Sequence, residues 1–216
     1  MTDFLETPAR AAPRGTLVLA HGAGAPMDSA FMNRIAEDLA DVGLAVLRFE
    51  FPYMAGRRTG GPKRPPPRAE TLIESFAAAV AAADPATRAA PLLVGGKSLG
   101  GRVAALYAGS DLLDPAVAGI VCLGYPFHAP GKPEATRLGP IEESRLPLLV
   151  CQGERDSFGN RAEVEIYPLP AHAELLWLAD GSHDLAPRGK AAATWAGNLR
   201  QAAAAVAAFA DRLAGA

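Results

Sequence analysis

The stretch Leu92-Leu93-Val94-Gly95-Gly96-Lys97-Ser98-Leu99-Gly100-Gly101-Arg102-Val103 decides the fold class. Leu92–Gly95 is a continuous apolar run of strand length, and Leu99, Val103 and Leu106 then recur at helical spacing. Between them, Gly96-Lys97-Ser98-Leu99-Gly100 fits the G-x-S-x-G pattern, a sharp strand-to-helix turn that lifts a serine hydroxyl clear of the backbone. The flanking glycines relieve the crowded turn. The hydroxyl then stands at a helix N-terminus, where the peptide dipoles favour a developing anion. Five residues alone are moderately specific. The strand before, the helix after and the partners found elsewhere in the chain raise their weight.

Working outward, the same alternation recurs. Apolar runs at Thr16–Ala20, Leu44–Phe49, Gly119–Leu123, Leu148–Cys151 and Glu174–Leu178 join Leu92–Gly95. They are continuously apolar rather than alternating, as strands buried on both faces are. Helical stripes separate them: Phe31, Ile35, Leu39 and Val42; Ile73, Phe76 and Val80; and Trp195, Leu199, Ala202, Val206, Phe209 and Leu213. This pattern predicts an α/β fold, a three-layer α/β/α sandwich around a mostly parallel six-stranded sheet. Residues 1–13 read as a flexible N-terminal segment and 14–216 as one domain. Gly56–Pro67, rich in Gly and Pro, reads as a mobile surface loop.

The chain of 216 residues has 21 Lys+Arg against 23 Asp+Glu, a formal net charge of −2. That balance gives no electrostatic case for nucleic acid or an anionic membrane. No apolar run is long enough to span a bilayer, and Met1–Pro13, with Asp3 and Glu6, lacks the features of a secretory signal. The two cysteines, Cys122 and Cys151, sit inside strand-like runs and read as core residues. The expectation is a reduced cytoplasmic protein with no disulfide, metal site or organic cofactor. Whether it is a monomer or a dimer is left open.

In open parallel sheets ligands bind beyond the carboxyl ends of the strands, so the residues just after each apolar run carry the function. Serine needs a base at neutral pH. Of four histidines, His183 follows the last strand on that edge. His21 precedes a Gly-rich turn and reads as backbone support, while His128 and His172 lie in loops. The base needs a carboxylate to fix its tautomer. Asp156 follows the fifth run, whereas Asp180 and Asp184 are too close to His183 in sequence to reach its far nitrogen. The chain order becomes Ser98, Asp156, His183, the order of α/β hydrolases. An oxyanion hole would take the N–H of Leu99 and the N–H of Ala23, from the turn His21-Gly22-Ala23-Gly24.

With Leu19–Gly24, Arg48–Met54, Gly95–Arg102, Gln152–Asp156 and Gly181–Asp184 assembled, the chain resembles the α/β-hydrolase superfamily over roughly residues 15–213. More narrowly, it resembles the small KANL/Tex-type hydrolase-like family, related in form to dienelactone-hydrolase-like proteins. The resemblance implies that Ser98, Asp156 and His183 form the triad, and names no substrate. It also marks two departures: the first two of the usual eight strands are missing, and only Phe127–Leu146 stands where larger hydrolases insert a lid.

The expected activity is hydrolysis of small carboxylic esters or thioesters, with a small molecule as the partner. A non-catalytic protein-interaction module and an amidase or peptidase, all on the same fold, are the rivals. Two other motifs fail. A phosphate loop would need glycine at Pro91, and a dinucleotide fingerprint would need it at Met27. Lys97 reads as a local polar contact and Arg102 as a surface residue. Arg57, Arg58, Lys63, Arg64 and Arg68 form a basic loop that reads as solvated, or as a lure for an anion. Tyr53, Tyr125, Phe127 and Trp177, near strand ends, read equally as pocket lining or packing.

Overall fold

The computed structural model describes residues 3–63, 65–83 and 89–215. Seven strands form one sheet: β1 (Leu5–Thr7), β2 (Gly15–Ala20), β3 (Leu44–Phe49), β4 (Leu92–Lys97), β5 (Val117–Leu123), β6 (Leu148–Gly153) and β7 (Ala173–Leu178). Their order is β1-β3-β2-β4-β5-β6-β7, and every neighbouring pair is parallel except β1 with β3. The main helices are α1 (Ala30–Asp41), α2 (Pro52–Arg58), α3 (Ile73–Ala82) and α4 (Leu99–Gly109). Two single turns, α5 (Gly139–Glu142) and α6 (Arg161–Val164), precede the long α7 (Trp195–Ala214).

The sheet carries a core on each face because successive strand residues point to opposite sides. In β2, Leu17 and Leu19 join a cluster with Phe31, Ile35 and Leu39 of α1 and Leu199, Val206 and Phe209 of α7. Val18 and Ala20 join the other cluster, with Phe76 and Val80 of α3 and Val103 and Tyr107 of α4. Each Leu, Ile, Val or Phe among them, fully buried, contributes about 1.5–3 kcal/mol. These layers therefore hold the helices far more than the exposed ion pairs do. At the start of α7, Thr194 accepts a hydrogen bond from the Gly197 N–H, satisfying one of the helix's free donors.

The sheet has seven strands where the sequence pattern shows six. The addition is β1, inside the segment 1–13 read as flexible; of that segment, residues 1 and 2 lie outside the described residues. Three residues, Leu5-Glu6-Thr7, are too few to show a period, and none of them is fully buried. Pairing holds them instead: Leu5 faces Arg48 and Thr7 faces Val46, and the Arg48 guanidinium donates to Thr7 Oγ1 at 3.0 Å. The Arg10 N–H adds a bond to the Ala40 carbonyl. One antiparallel leading strand is thus present where two strands were read as missing. The front of Gly56–Pro67, read as a loop, is helical, since α2 runs to Arg58. Among the described residues, no helix is long and apolar enough to cross a membrane.

Candidate active site

Ser98 sits between β4 and α4 with φ 52° and ψ −110°. A non-glycine residue at positive φ stores about 1–3 kcal/mol of strain and persists only where its surroundings over-determine it. Here the Ser98 N–H is tied to the Leu123 carbonyl at 3.0 Å, and α4 leaves at once toward the sheet. The turn is so tight that a Cβ on Gly100 would lie 2.7 Å from the carbonyl oxygens of both Ala20 and His21. Glycine at that position follows from the close approach of helix to strand.

The strand order then delivers the partners. Asp156 follows β6 and His183 follows β7, on the same edge of the sheet as Ser98. His183 Nδ1 lies 2.8 Å from Asp156 Oδ2, and His183 Nε2 lies 2.8 Å from Ser98 Oγ. An ionised carboxylate only accepts, so Nδ1 carries the ring proton and Nε2 is free to accept from the serine hydroxyl. Asp156 is fully buried. Its Oδ2 also accepts from Gln152 Nε2 at 3.0 Å, and its Oδ1 from the Phe158 N–H at 2.8 Å. The Phe158 ring lies against the imidazole, centroids 4.2 Å apart. Such a chain can draw the proton from Ser98 as its oxygen attacks a carbonyl.

The turn His21-Gly22-Ala23-Gly24 faces Ser98. His21 is buried and acts as a brace. Its Nδ1–H donates to the Gly22 carbonyl at 2.6 Å, and its Nε2 accepts from the Phe51 N–H at 3.1 Å. Burial pushes its pKa below the ordinary value of 6.5, which suits this neutral form. The Tyr53 hydroxyl donates to the Ala23 carbonyl at 3.1 Å, and burial pushes the phenol up to about 12. Ala23 lines the cleft and Leu99 opens α4 directly after Ser98, so both residues expected to supply oxyanion donors lie near Ser98.

A cleft of about 470 Å³ opens over this constellation. Its apolar lining comes from Ala25, Ala30, Phe31, Met32 and Phe158; Lys97, Ser98, His183 and Asp184 are among its polar lining. None of the four aromatic residues suggested by strand-end position lines it. Tyr125 and Phe127 are wholly buried in the core, Tyr53 braces the Ala23 turn, and the Trp177 ring packs under the Arg161 guanidinium. Phe31 was legible only as a member of a helix stripe, and Met32 was not singled out. Their place one turn past the Gly-rich loop was the available signal, as nearness to Asp156 was for Phe158 and Gln152.

The remaining candidates are occupied elsewhere. His128 meets Glu163, and His172 meets the Ile141 carbonyl. Asp180 is held by Arg188, foremost, and Arg155, which draw its carboxyl down to about 2. In the basic loop, Arg58 is engaged by Glu50 and Asp28, and Arg57 lies over the Tyr53 ring; Arg64 lies outside the described residues. Arg102 pairs with Glu70. Lys97 reaches Asp184 in the cleft lining. Among the described residues, no group of three metal-ligating side chains converges.

Residues 13–211 match the family model described as alpha/beta hydrolase domain. Among solved structures, the chain is similar to Est1E from Butyrivibrio proteoclasticus with ferulic acid bound (TM-score 0.70, 14% identity, covering 100% of this chain and 96% of that one). It is also similar to an alpha-beta serine hydrolase homologue from Coxiella burnetii (0.66, 17%, 98% and 90%). A third is dienelactone hydrolase from Anabaena variabilis (0.63, 21%, 96% and 88%). At these identities the structural likeness speaks for the fold.

Proposed function

The chain belongs to this alpha/beta hydrolase domain family, and from that premise we propose that it is a serine hydrolase cleaving carboxylic esters or thioesters of small acyl substrates. The observation that carries the reading is the unbroken chain of 2.8 Å contacts from Ser98 through His183 to buried Asp156. In this mechanism His183 Nε2 takes the Ser98 proton as Oγ bonds to the substrate carbonyl carbon. The tetrahedral oxyanion is held by the N–H groups of Ala23 and Leu99. The imidazolium returns the proton to the departing alcohol or thiol, leaving Ser98 acylated. Water then repeats both steps and releases the acid. Asp156 orients the ring throughout. An oxyanion donor of this kind is worth about 2.7–4 kcal/mol in the transition state.

The open cleft and its Phe31, Met32 and Phe158 wall favour a short or flat apolar acyl group; the ferulic acid bound to Est1E is such a group. The buried free thiols of Cys122 and Cys151 fit a cytoplasmic enzyme. The test is hydrolysis of p-nitrophenyl acetate and labelling by a fluorophosphonate. Ser98→Ala is expected to abolish labelling and lower kcat by about 10⁶-fold. A Ser98→Ala protein with wild-type turnover would refute the assignment. A folded wild type that neither labels nor cleaves any member of an acyl-ester panel would point to a binding module instead.

A further inference from the structure

Ser98 and His183 each have a charged neighbour in sequence, and the two neighbours are opposite in sign. Lys97 precedes the serine, Asp184 follows the histidine, and Lys97 Nζ lies 3.2 Å from Asp184 Oδ1. We propose that Lys97 and Asp184 form a latch, a pair of positioning residues that holds the His183 loop onto the end of β4 so that the imidazole stays in reach of Ser98. The proposal rests on reading Ser98 as nucleophile and His183 as base.

The topology creates the need for a latch. β5 and β6 stand between β4 and β7, so no strand ladder joins the serine's strand to the histidine's. The backbone bonds of the His183 loop run to its own turn and to the loop after β6, Ser182 N–H to the Ala186 carbonyl and Arg155 N–H to the Gly181 carbonyl. Side chains of α7 hold it as well, Asn198 donating to the Ala179 and Leu185 carbonyls and Trp195 to the Asp184 carbonyl, but these bonds tie it to α7 and not to β4. The loop is also strained. Asp180 and Leu185, on either side of His183, have φ of 50° and 59° without being glycine. A segment with two such residues stays in one geometry only if its surroundings hold it there.

The chemistry of the pair points to placement rather than stability. The Lys97 side chain is 7% exposed and its partner 69%. Burial, the largest influence on it, lowers the Lys97 pKa, with Asp184 and Asp156 opposing. A buried ammonium is costly, and an apolar chain in its place is often neutral or stabilising. Such a chain would keep apolar contact with Phe31, whose ring centroid lies 5.3 Å from Nζ. What an apolar chain cannot supply is a directed link to the residue after the base. The ammonium and the ring also share a neighbour in Gly124. A methyl group added to Gly124 would lie 3.3 Å from Lys97 Nζ and 3.5 Å from His183 Nδ1. The charged and titratable groups around Lys97 are therefore Asp184, Asp156 and His183. The two latch charges act on the imidazolium in opposite senses, Lys97 disfavouring it and Asp184 favouring it.

The test compares wild type with Lys97→Met, Asp184→Asn and the double variant. The readouts are kcat, KM and the pH profile of kcat/KM on p-nitrophenyl acetate. Each single variant is expected to lower kcat about 10–100-fold, with KM changed less than about threefold, as loss of reactant alignment does. The double variant should be no slower than the worse single, because both remove the same link. The acid limb should move up in pH in Lys97→Met and down in Asp184→Asn. Losses that multiply, kcat within twofold of wild type in both singles, or limbs moving together would overturn the latch. Should Lys97→Met fail to fold, solvent-exposed Asp184→Asn alone decides the kcat and limb outcomes. Should wild type neither turn over nor label, the parent reading fails. The latch is then judged by NMR of the His183 ring: signals that broaden or split in Asp184→Asn support it, and unchanged signals overturn it.

Discussion

Asp156→Asn tests the hydrogen-bond arithmetic behind the site. The carboxylate accepts three bonds: Phe158 N–H on Oδ1, and Gln152 Nε2 and His183 Nδ1 on Oδ2. An amide offers one oxygen and one NH₂, so one side must turn donor against donor in a fully buried place. Phe158 presents a fixed backbone N–H, while the ring and the Gln152 amide can adjust. The amide oxygen therefore stays on Phe158, and the NH₂ faces His183 and Gln152. His183 can then accept at Nδ1 only by moving its proton to Nε2, where it points at Ser98 and cannot serve as the base. The two hydrogens of the Gln152 NH₂ keep the carbonyls of Tyr125 and Gly159, at 3.1 and 3.0 Å, so the donor left without an acceptor is the second hydrogen of the new amide; rotating Gln152 to receive it would turn an oxygen toward those carbonyls. An unpaired buried donor costs about 1–3 kcal/mol, a fall in melting temperature of about 2–4 °C per kcal/mol for a domain of this size. The wrong tautomer costs about 10⁴ in kcat, which is about 5.4 kcal/mol of barrier. Steady-state hydrolysis of p-nitrophenyl acetate and a thermal melt read the two together. A kcat within tenfold of wild type would refute the argument, since the ring would then be oriented without the carboxylate.

Two further perturbations follow from the braces around the site. Gly100→Ala places a methyl 2.7 Å from two backbone carbonyl oxygens, so urea denaturation should show a loss of about 1–3 kcal/mol, with reduced labelling of Ser98; an unperturbed variant would mean that the helix and strand can part freely. His21 gives the fold an acid sensitivity. Its folded pKa lies below the ordinary 6.5, so between those values the unfolded chain binds more protons. The stability it confers is complete above about pH 6.5 and drains as pH falls toward the folded value. The guanidinium midpoint should therefore drop between pH 7.5 and pH 5. His21→Gln should show a smaller drop, and an equal drop in that variant would clear His21 of the role.

How much of this was legible in the sequence follows from which interactions have a local signature. Strands buried on both faces write themselves as apolar runs, so six of the seven were visible, and the strand ends directed attention to Ser98, Asp156 and His183. β1 was invisible because its order comes from pairing with β3 and from the reach of Arg48, forty-one residues from Thr7. Periodicity carries no trace of such a contact.

The cleft wall stayed undecided between lining and packing for a different reason. Strand-end position selects residues near the edge of the sheet, but the local backbone decides which way each side chain turns. After β5, Gly124 at φ 68° swings Tyr125 back into the core, where its hydroxyl donates to the Arg137 carbonyl at 2.8 Å. The space over Ser98 is filled from the side by the first turn of α1, whose Phe31 and Met32 belong at once to the helix's buried stripe and to the cleft. A residue that serves core and pocket together has the sequence signature of the core alone. The chemistry of such a site is therefore readable from its turns before its specificity is readable from its walls.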